Sequence, residues 1–216
     1  MTNHATGANA NTDADGTGRL LIIFSKNPVR GRVKTRLALS TGEDEALRIY
    51  ELLRERTFQA SEKVTAHRAV FYSDFIPETD LFLTGRYESF LQKGADLGER
   101  MHHAFTEAFS RFFLHVVLIG TDCPELDGAL INQAFACLQT GEVVIGPASD
   151  GGFYLIGLNR PISSLFLHRE WSTSGVLAET IRILKEQKTE YALLPVLSDI
   201  DTFEDLKNSC LWNLQH

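Results

Sequence analysis

The chain has 216 residues, 44% of them hydrophobic, enough for one sizeable core without disulfide or metal, and no stretch approaches the ~20 apolar residues of a membrane span. A formal net charge of -7 at pH 7 argues against generic binding to nucleic acid or anionic membrane, since either polyanion would be repelled. The charge is uneven: five of the 21 basic residues, Lys26, Arg30, Arg32, Lys34 and Arg36, fall in one acid-free stretch, which suits a local site for a small phosphorylated molecule.

Three cysteines, Cys123, Cys137 and Cys210, have neither the even count of a disulfide framework nor the spacing of a zinc site, and a reducing cytoplasm is the simplest compartment. Residues 1–18, rich in Ala, Asn, Thr, Gly and Asp, lack an apolar signal region and read as a disordered leader outside the fold.

Leu20 to Phe24 is an unbroken apolar run, the pattern of a first strand buried on both faces of a parallel sheet. Lys26 to Arg36 follows as a basic loop with Pro28 and Gly31. Arg offers a fork of donors to phosphate and Lys a point charge, and nucleotide-binding folds place their phosphate loop directly after the first strand. Neither a P-loop nor a Gly-x-Gly-x-x-Gly fingerprint is present, which weakens ATPase, kinase and dinucleotide readings. Thr41 caps a predicted helix that runs to about Thr65. Arg68 to Ser73 reads as a strand, Thr79 to Tyr87 as a short helix, Ser89 to Gln92 as a short strand, and a helix then ends near Phe113. His102 and His103 point to different faces of that helix and do not form a metal pair.

His115 to Ile119 is the clearest strand, and it ends in Gly120-Thr121-Asp122-Cys123-Pro124. An Asp at the carboxyl end of a central strand can hold a hard divalent cation whose other ligands are phosphate oxygens and water. Cys123 has no partner histidine in a nucleophile motif and reads as packing. Asp127 starts a helix to Thr140. Val143 to Ile145 leads into Gly146-Pro147-Ala148-Ser149-Asp150-Gly151-Gly152 and a second apolar run to Leu158. This is a strand, a sharp turn and a strand, so an antiparallel element is expected in an otherwise parallel α/β sheet. Trp171 to Leu177 reads as a capped start of a helix to about Gln187, Tyr191 to Val196 as the last strand, and Thr202 with Asp205 as a helix start preceded by Asp199 and Asp201. Lys34 to Arg36, Thr121 to Pro124, Asp150 to Gly152 and Asp199 to Asp201 all fall at predicted strand ends, where open α/β sheets bind ligands.

Four of these blocks, Phe24 to Leu37, Gly120 to Pro124, Gly146 to Leu158 and Asp199 to Leu206, resemble in order the signature segments of one family. It is the bacterial glycosyltransferase-A-fold family of radical-SAM/selenodomain-associated, or nucleotide-diphospho-sugar, transferases, distantly similar to molybdenum-cofactor and phospholactate guanylyltransferases. Gln92 to Met101 and Trp171 to Thr173 match as well. Phe153 stands where Tyr is also common and Phe203 where Pro is usual.

The resemblance implies a three-layer α/β/α sandwich with one nucleotide-binding domain over residues 19–216. It implies phosphate contacts from Lys26, Lys34 and Arg36, with Asp122 and Asp201 holding Mg²⁺ or Mn²⁺. Asp150, Gly151 and Gly152 would line the acceptor side. The expected function is a metal-dependent transferase with a nucleotide-activated donor, most specifically a nucleotide-diphospho-sugar, and a small-molecule acceptor. Lys34, Asp122 and Asp150 would be the catalytic groups, Asp150 as general base. The alternatives are a nucleotidyltransferase that joins a nucleoside triphosphate to a phosphorylated small molecule, and a non-catalytic nucleotide or metabolite sensor.

Overall fold

The computed structural model describes residues 18–171 and 173–212, so the expected leader, apart from Gly18, lies outside the described residues. Among the described residues seven strands form one sheet: β1 (Arg19–Ser25), β2 (His67–Tyr72), β3 (Glu88–Leu91), β4 (His115–Ile119), β5 (Val143–Pro147), β6 (Phe153–Leu158) and β7 (Tyr191–Leu193). Their order across the sheet is β3-β2-β1-β4-β6-β5-β7. β6 runs antiparallel to both of its neighbours, β4 and β5, while every other pairing is parallel. The expected antiparallel element is therefore a single reversed strand.

Alternation along the strands builds two cores. Leu21, Ile23, Val70, Val117 and Ile119 face one side, where α2 (Glu43–Ser61) and α4 (Gly128–Cys137) supply Ala60, Ile131, Ala134 and Phe135. Leu20, Ile22, Phe24, Phe71, Val116 and Leu118 face the other, against Met101, Ala104 and Phe105 of α3 (Leu97–Ser110) and Leu184 of α5 (Val176–Glu186). Burial on both faces explains why β1 and β4 read as continuous apolar runs. A third cluster joins α1 (Thr35–Thr41) and α2 to α6 (Phe203–Asn208) through Leu37, Ile49, Leu53, Ile200 and Leu206. Among the described residues no helix is long and apolar enough to cross a membrane.

Several local expectations change. The basic stretch does not stay a loop to Arg36, because α1 begins at Thr35, with Lys34 as its left-handed N-cap. Thr41 ends α1 rather than capping the next helix: its Oγ1 donates to Leu37 O, and Gly42, at φ 84°, turns the chain into α2. No helix forms over residues 79–87. Asp80 there accepts from the Phe82 amide and from Arg54 and Tyr72, and Gly85 takes φ 78°. The start of α5 has Gly175 as its N-cap with no side-chain cap, and β7 ends at Leu193 rather than Val196. The Thr202–Asp205 capping box opens α6 as expected.

Candidate active site

The parallel strands end together at one edge, and the reversal of β6 places its first residue, Phe153, at the same edge. A cavity of about 830 Å³ opens there, lined by Lys26, Arg32, Lys34, Arg36, Tyr50, Asp122, Asp150, Asp199 and Asp201, and farther along by Gln92, Leu97, Arg100, Phe153 and Trp171. A smaller, more open depression of about 430 Å³ lies at the β7 edge of the sheet, around Cys137, Thr140 and Thr189 to Ala192, and holds none of these groups.

Lys34 is the centre of the site. Its side chain is only 4% exposed, and its ammonium bridges two carboxylates: it is paired with Asp122 and donates to Asp201 Oδ1 at 3.0 Å. Burial alone would lower its pKa, but the charges of Asp122 and Asp201 more than offset this and hold it above the ordinary lysine value. The backbone of Lys34 sits at φ 47°, a conformation costing a non-glycine residue roughly 1–2 kcal/mol and typical of functional positions. Arg36 Nη1 lies 3.9 Å from the other oxygen of Asp201, while Lys26 and Arg32 are exposed at the lip.

The two acids are brought together by backbone pairing. The Ile200 amide donates to the Asp122 carbonyl at 3.0 Å, and the Ser149 amide to the Leu197 carbonyl at 2.9 Å, so the segment after β7 is laid against the ends of β4 and β5. Asp201 thereby faces Asp122 across Lys34. Asp199 also lines the cavity, and its carboxyl is pushed up to about 7 by burial and by the charges of Asp122, Asp150 and Asp201, against the pull of Lys34. Asp150 sits in the exposed turn between β5 and β6, where its Oδ1 accepts from the Gly152 amide at 2.8 Å. Gly152 lines the cavity. Gly151, at φ 91°, instead packs on the Ser174 carbonyl, so close that a Cβ would come within 2.1 Å of its oxygen.

Several groups support the site through contacts that their spacing in the sequence does not show. Tyr50, in the middle of α2, accepts from the Lys26 amide at 2.9 Å and contacts Thr121 Oγ1 at 3.2 Å, so it fixes the start of the basic loop to the end of β4. Buried Asn27 takes the Asp74 and Phe75 amides on its Oδ1 and ties the same loop to the end of β2. Trp171 meets Phe153 edge to face at 6.2 Å, lies under the Arg169 guanidinium at 4.8 Å, and donates from its indole nitrogen to Phe166 O at 3.1 Å. The first amides of α5 are already bonded, Val176 to Thr173 O and Leu177 to Gly151 O, which leaves that helix start poorly placed to receive an anion. Cys123 is buried, with burial first among the causes that push its thiol up to about 12, in keeping with packing rather than nucleophilic chemistry.

Among the described residues no group of three His, Cys, Asp or Glu side chains is placed to hold a metal ion. Asp122 and Asp201 converge instead on a single cation, the Lys34 ammonium. A pair of hard oxygen donors in an accessible cleft fits Mg²⁺ or Mn²⁺ with water and phosphate completing its coordination.

Residues 56–173, just over half of the chain, match the model of the family described as "Uncharacterized protein conserved in bacteria (DUF2064)". The chain belongs to this family. A comparison with curated proteins finds no match. Among solved structures, this DUF2064 member is similar to a proposed nucleotide-diphospho-sugar transferase from Desulfovibrio desulfuricans G20, at 29% identity and TM-score 0.80 over 92% of this chain and 94% of that one. It also shares its fold with 4-diphosphocytidyl-2C-methyl-D-erythritol synthase from Anaerococcus prevotii DSM 20548, at 11% identity and TM-score 0.56 over 97% and 100% of the two chains. A third likeness is to the inositol-1-phosphate CTP transferase from T. maritima, at 12% identity and TM-score 0.53 over 92% and 95%. The three-layer sandwich of the DUF2064 chain is thus the fold found in nucleotide-diphospho-sugar transferases and nucleotidyltransferases.

Proposed function

We propose that this chain is a transferase that uses a nucleotide-activated donor with the help of a divalent cation, and that the donor is a nucleotide-diphospho-sugar. The observation that carries the reading is the meeting, in one crevice, of Lys26, Arg32 and Arg36 with Asp122 and Asp201, the two sides joined by Lys34, while Arg30 turns away to Glu43 and Asp44. The likeness to the Desulfovibrio protein along nearly the whole of both chains supports it.

Asp122 and Asp201 would hold Mg²⁺ or Mn²⁺, which when bound supplies positive charge to the diphosphate and its leaving group. Arg32, Lys34 and Arg36 would place fixed cations on the phosphate oxygens, in a site already shaped by Tyr50 and Asn27, so that little reorganisation accompanies the reaction. Exposed Lys26 would reach the donor at the lip. On the other side, Asp150 would take the proton of an acceptor hydroxyl as its oxygen bonds to the anomeric carbon and the bond from that carbon to the diphosphate breaks. Gly152, Phe153 and Trp171 would line the acceptor space.

A second reading is favoured by the number of cations at the lip. Lys26, Arg32 and Arg36, with Lys34 buried behind them, suit a triphosphate, whose α-phosphorus would be attacked by a phosphorylated acceptor with pyrophosphate leaving. The cytidylyl-transferring relatives of the same fold support that chemistry.

Thermal-shift measurements with nucleotide-diphospho-sugars and nucleoside triphosphates, each in Mg²⁺, Mn²⁺ or EDTA, separate the readings. A native-state ligand at 100 times its Kd stabilises by about 2.7 kcal/mol, well within detection. Cation-dependent stabilisation by a diphospho-sugar supports glycosyl transfer. Stabilisation by triphosphates alone supports nucleotidyl transfer, and silence from both refutes a nucleotide-activated donor. Asp122→Asn should abolish cation-dependent turnover and weaken nucleotide binding while preserving the fold; undiminished turnover would remove Asp122 from the cation site.

A further inference from the structure

Lys34 differs from a phosphate-binding lysine that waits in solvent. Its backbone is fixed in the left-handed region, its side chain is buried, and its ammonium lies between Asp122 and Asp201. That is the point on which the two carboxylates converge, and so the point a cation shared by them would take. A divalent cation arriving alone would have to push the ammonium off both acids, towards a lip that already carries Lys26, Arg32 and Arg36. Glu43 and Asp44, the acids beside that loop, are already paired with Arg30. Asp150 and Asp199 add two further carboxylates to the cavity wall, so Lys34 also offsets repulsion among the acids, and its departure is tolerated only if another cation replaces it.

A diphosphate changes the exchange. Its oxygens can receive the three donors of the ammonium just as the incoming cation takes over the carboxylates, and every charge keeps a partner. We infer that Lys34 makes divalent-cation binding conditional on the diphosphate: the crevice takes up its donor as the cation–diphosphate complex and excludes the free cation. This rests on the reading of Asp122 and Asp201 as the cation site and deepens it by naming the ligand that enters.

The test is enhancement of the water-proton relaxation rate by Mn²⁺, which reports the ion bound to protein and not free or chelated in solution, with inorganic pyrophosphate as the probe. The wild-type protein should show no enhancement with Mn²⁺ alone and clear enhancement once pyrophosphate is added. Lys34→Met should bind Mn²⁺ alone at least about ten-fold more tightly than wild type and lose most of the dependence on pyrophosphate. Far-UV circular dichroism checks the fold of the variant, Lys34→Gln serves if the methionine variant does not fold, and the wild-type arm stands without either. Wild-type protein that binds Mn²⁺ alone as tightly as with pyrophosphate overturns the inference, as does a folded Lys34 variant that binds Mn²⁺ no better than wild type. Failure of the underlying cation reading looks different: no protein-bound Mn²⁺ in any combination, while pyrophosphate stabilises the wild type equally in Mn²⁺ and in EDTA.

Discussion

The buried pair Arg54–Asp80 should be the costliest charge to remove outside the crevice. The two side chains are 3% and 5% exposed and meet at 2.6 Å. Asp80 also accepts from Tyr72 OH at 2.8 Å and from the Phe82 amide at 3.1 Å, while Arg54 Nε donates to Ser25 Oγ at 3.0 Å and its guanidinium lies over the Phe82 ring at 5.5 Å. Asp80→Ala would leave a buried guanidinium uncompensated and two donors unpaired. Removing one partner of a buried ion pair costs roughly 3–5 kcal/mol, whereas replacing both partners with apolar residues of similar volume is often nearly neutral. For a domain of this size each kcal/mol moves Tm by roughly 2–4 °C, so Asp80→Ala should lower it by roughly 6–20 °C. The Arg54→Met/Asp80→Leu double variant should lose less than Asp80→Ala alone. Urea unfolding with an unchanged m-value would assign the difference to native-state stability. A double variant that loses the sum of the two single effects would refute the reasoning, because the pair would then be two independent contributions.

Gly98 faces Trp171, and a Cβ there would come within 2.0 Å of the indole nitrogen and 2.2 Å of Phe166 O. Gly98→Ala should cost about 1–3 kcal/mol by overpacking and, in a Trp212→Phe background, shift the Trp171 emission to the red; an unchanged spectrum would mean the indole is not clamped there. His115 is held below the usual histidine pKa by burial and by nearby Arg19, and its Nδ1 is buried without a hydrogen-bond partner. Below about pH 6.5 the unfolded state then binds more protons than the folded one, so this residue costs stability as pH falls. His115→Gln should flatten the decline between neutral and mildly acidic pH, and an unaltered pH profile would count against the assignment. Gly151→Ala meets both a positive φ and the Ser174 carbonyl, a backbone atom that cannot swing away. On the proposed reading it should cost turnover while nucleotide-dependent stabilisation persists, and loss of both would show that the turn does not serve the acceptor side alone.

The parts of the fold legible in the sequence are those set by local pattern. β1 and β4 are apolar on both faces, the Asp150-Gly151-Gly152 turn needs a positive φ at Gly151, and the Thr202–Asp205 cap is written within four residues. What could not be read depends on partners far along the chain. The 79–87 segment has helix-compatible residues, but Asp80 is committed to Arg54, 26 positions earlier, and the backbone follows the buried charge. α1 was hidden because its cap is a lysine in the left-handed region, held by acids 88 and 167 positions away. The candidate site follows the same division. Lys34, Asp122 and Asp201 are visible as charges at strand ends, whereas the bridge among them, and Tyr50 beneath the loop, exist only once α2 is packed against the edge of the sheet.

Strand order explains why donor and acceptor would share one crevice. From β1 the chain first builds outward through β2 and β3, then returns to lay β4 on the other side of β1, and ligands of open α/β sheets bind at such a reversal. The basic lip follows β1 and Asp122 follows β4, so cations and acids face each other across the gap. The antiparallel course of β6 then adds Asp150, Gly152 and Phe153 at the same edge, which an all-parallel sheet could not do with a turn this short. The phosphate-facing half would serve glycosyl and nucleotidyl transfer alike, since both neutralise charge on a departing phosphate group. Beyond the number of cations at the lip, the choice between them rests with the Asp150–Trp171 half: a carboxylate and an aromatic wall suit a neutral hydroxyl-bearing acceptor, while a phosphorylated acceptor would need a cation there, and Arg100 is placed to provide one.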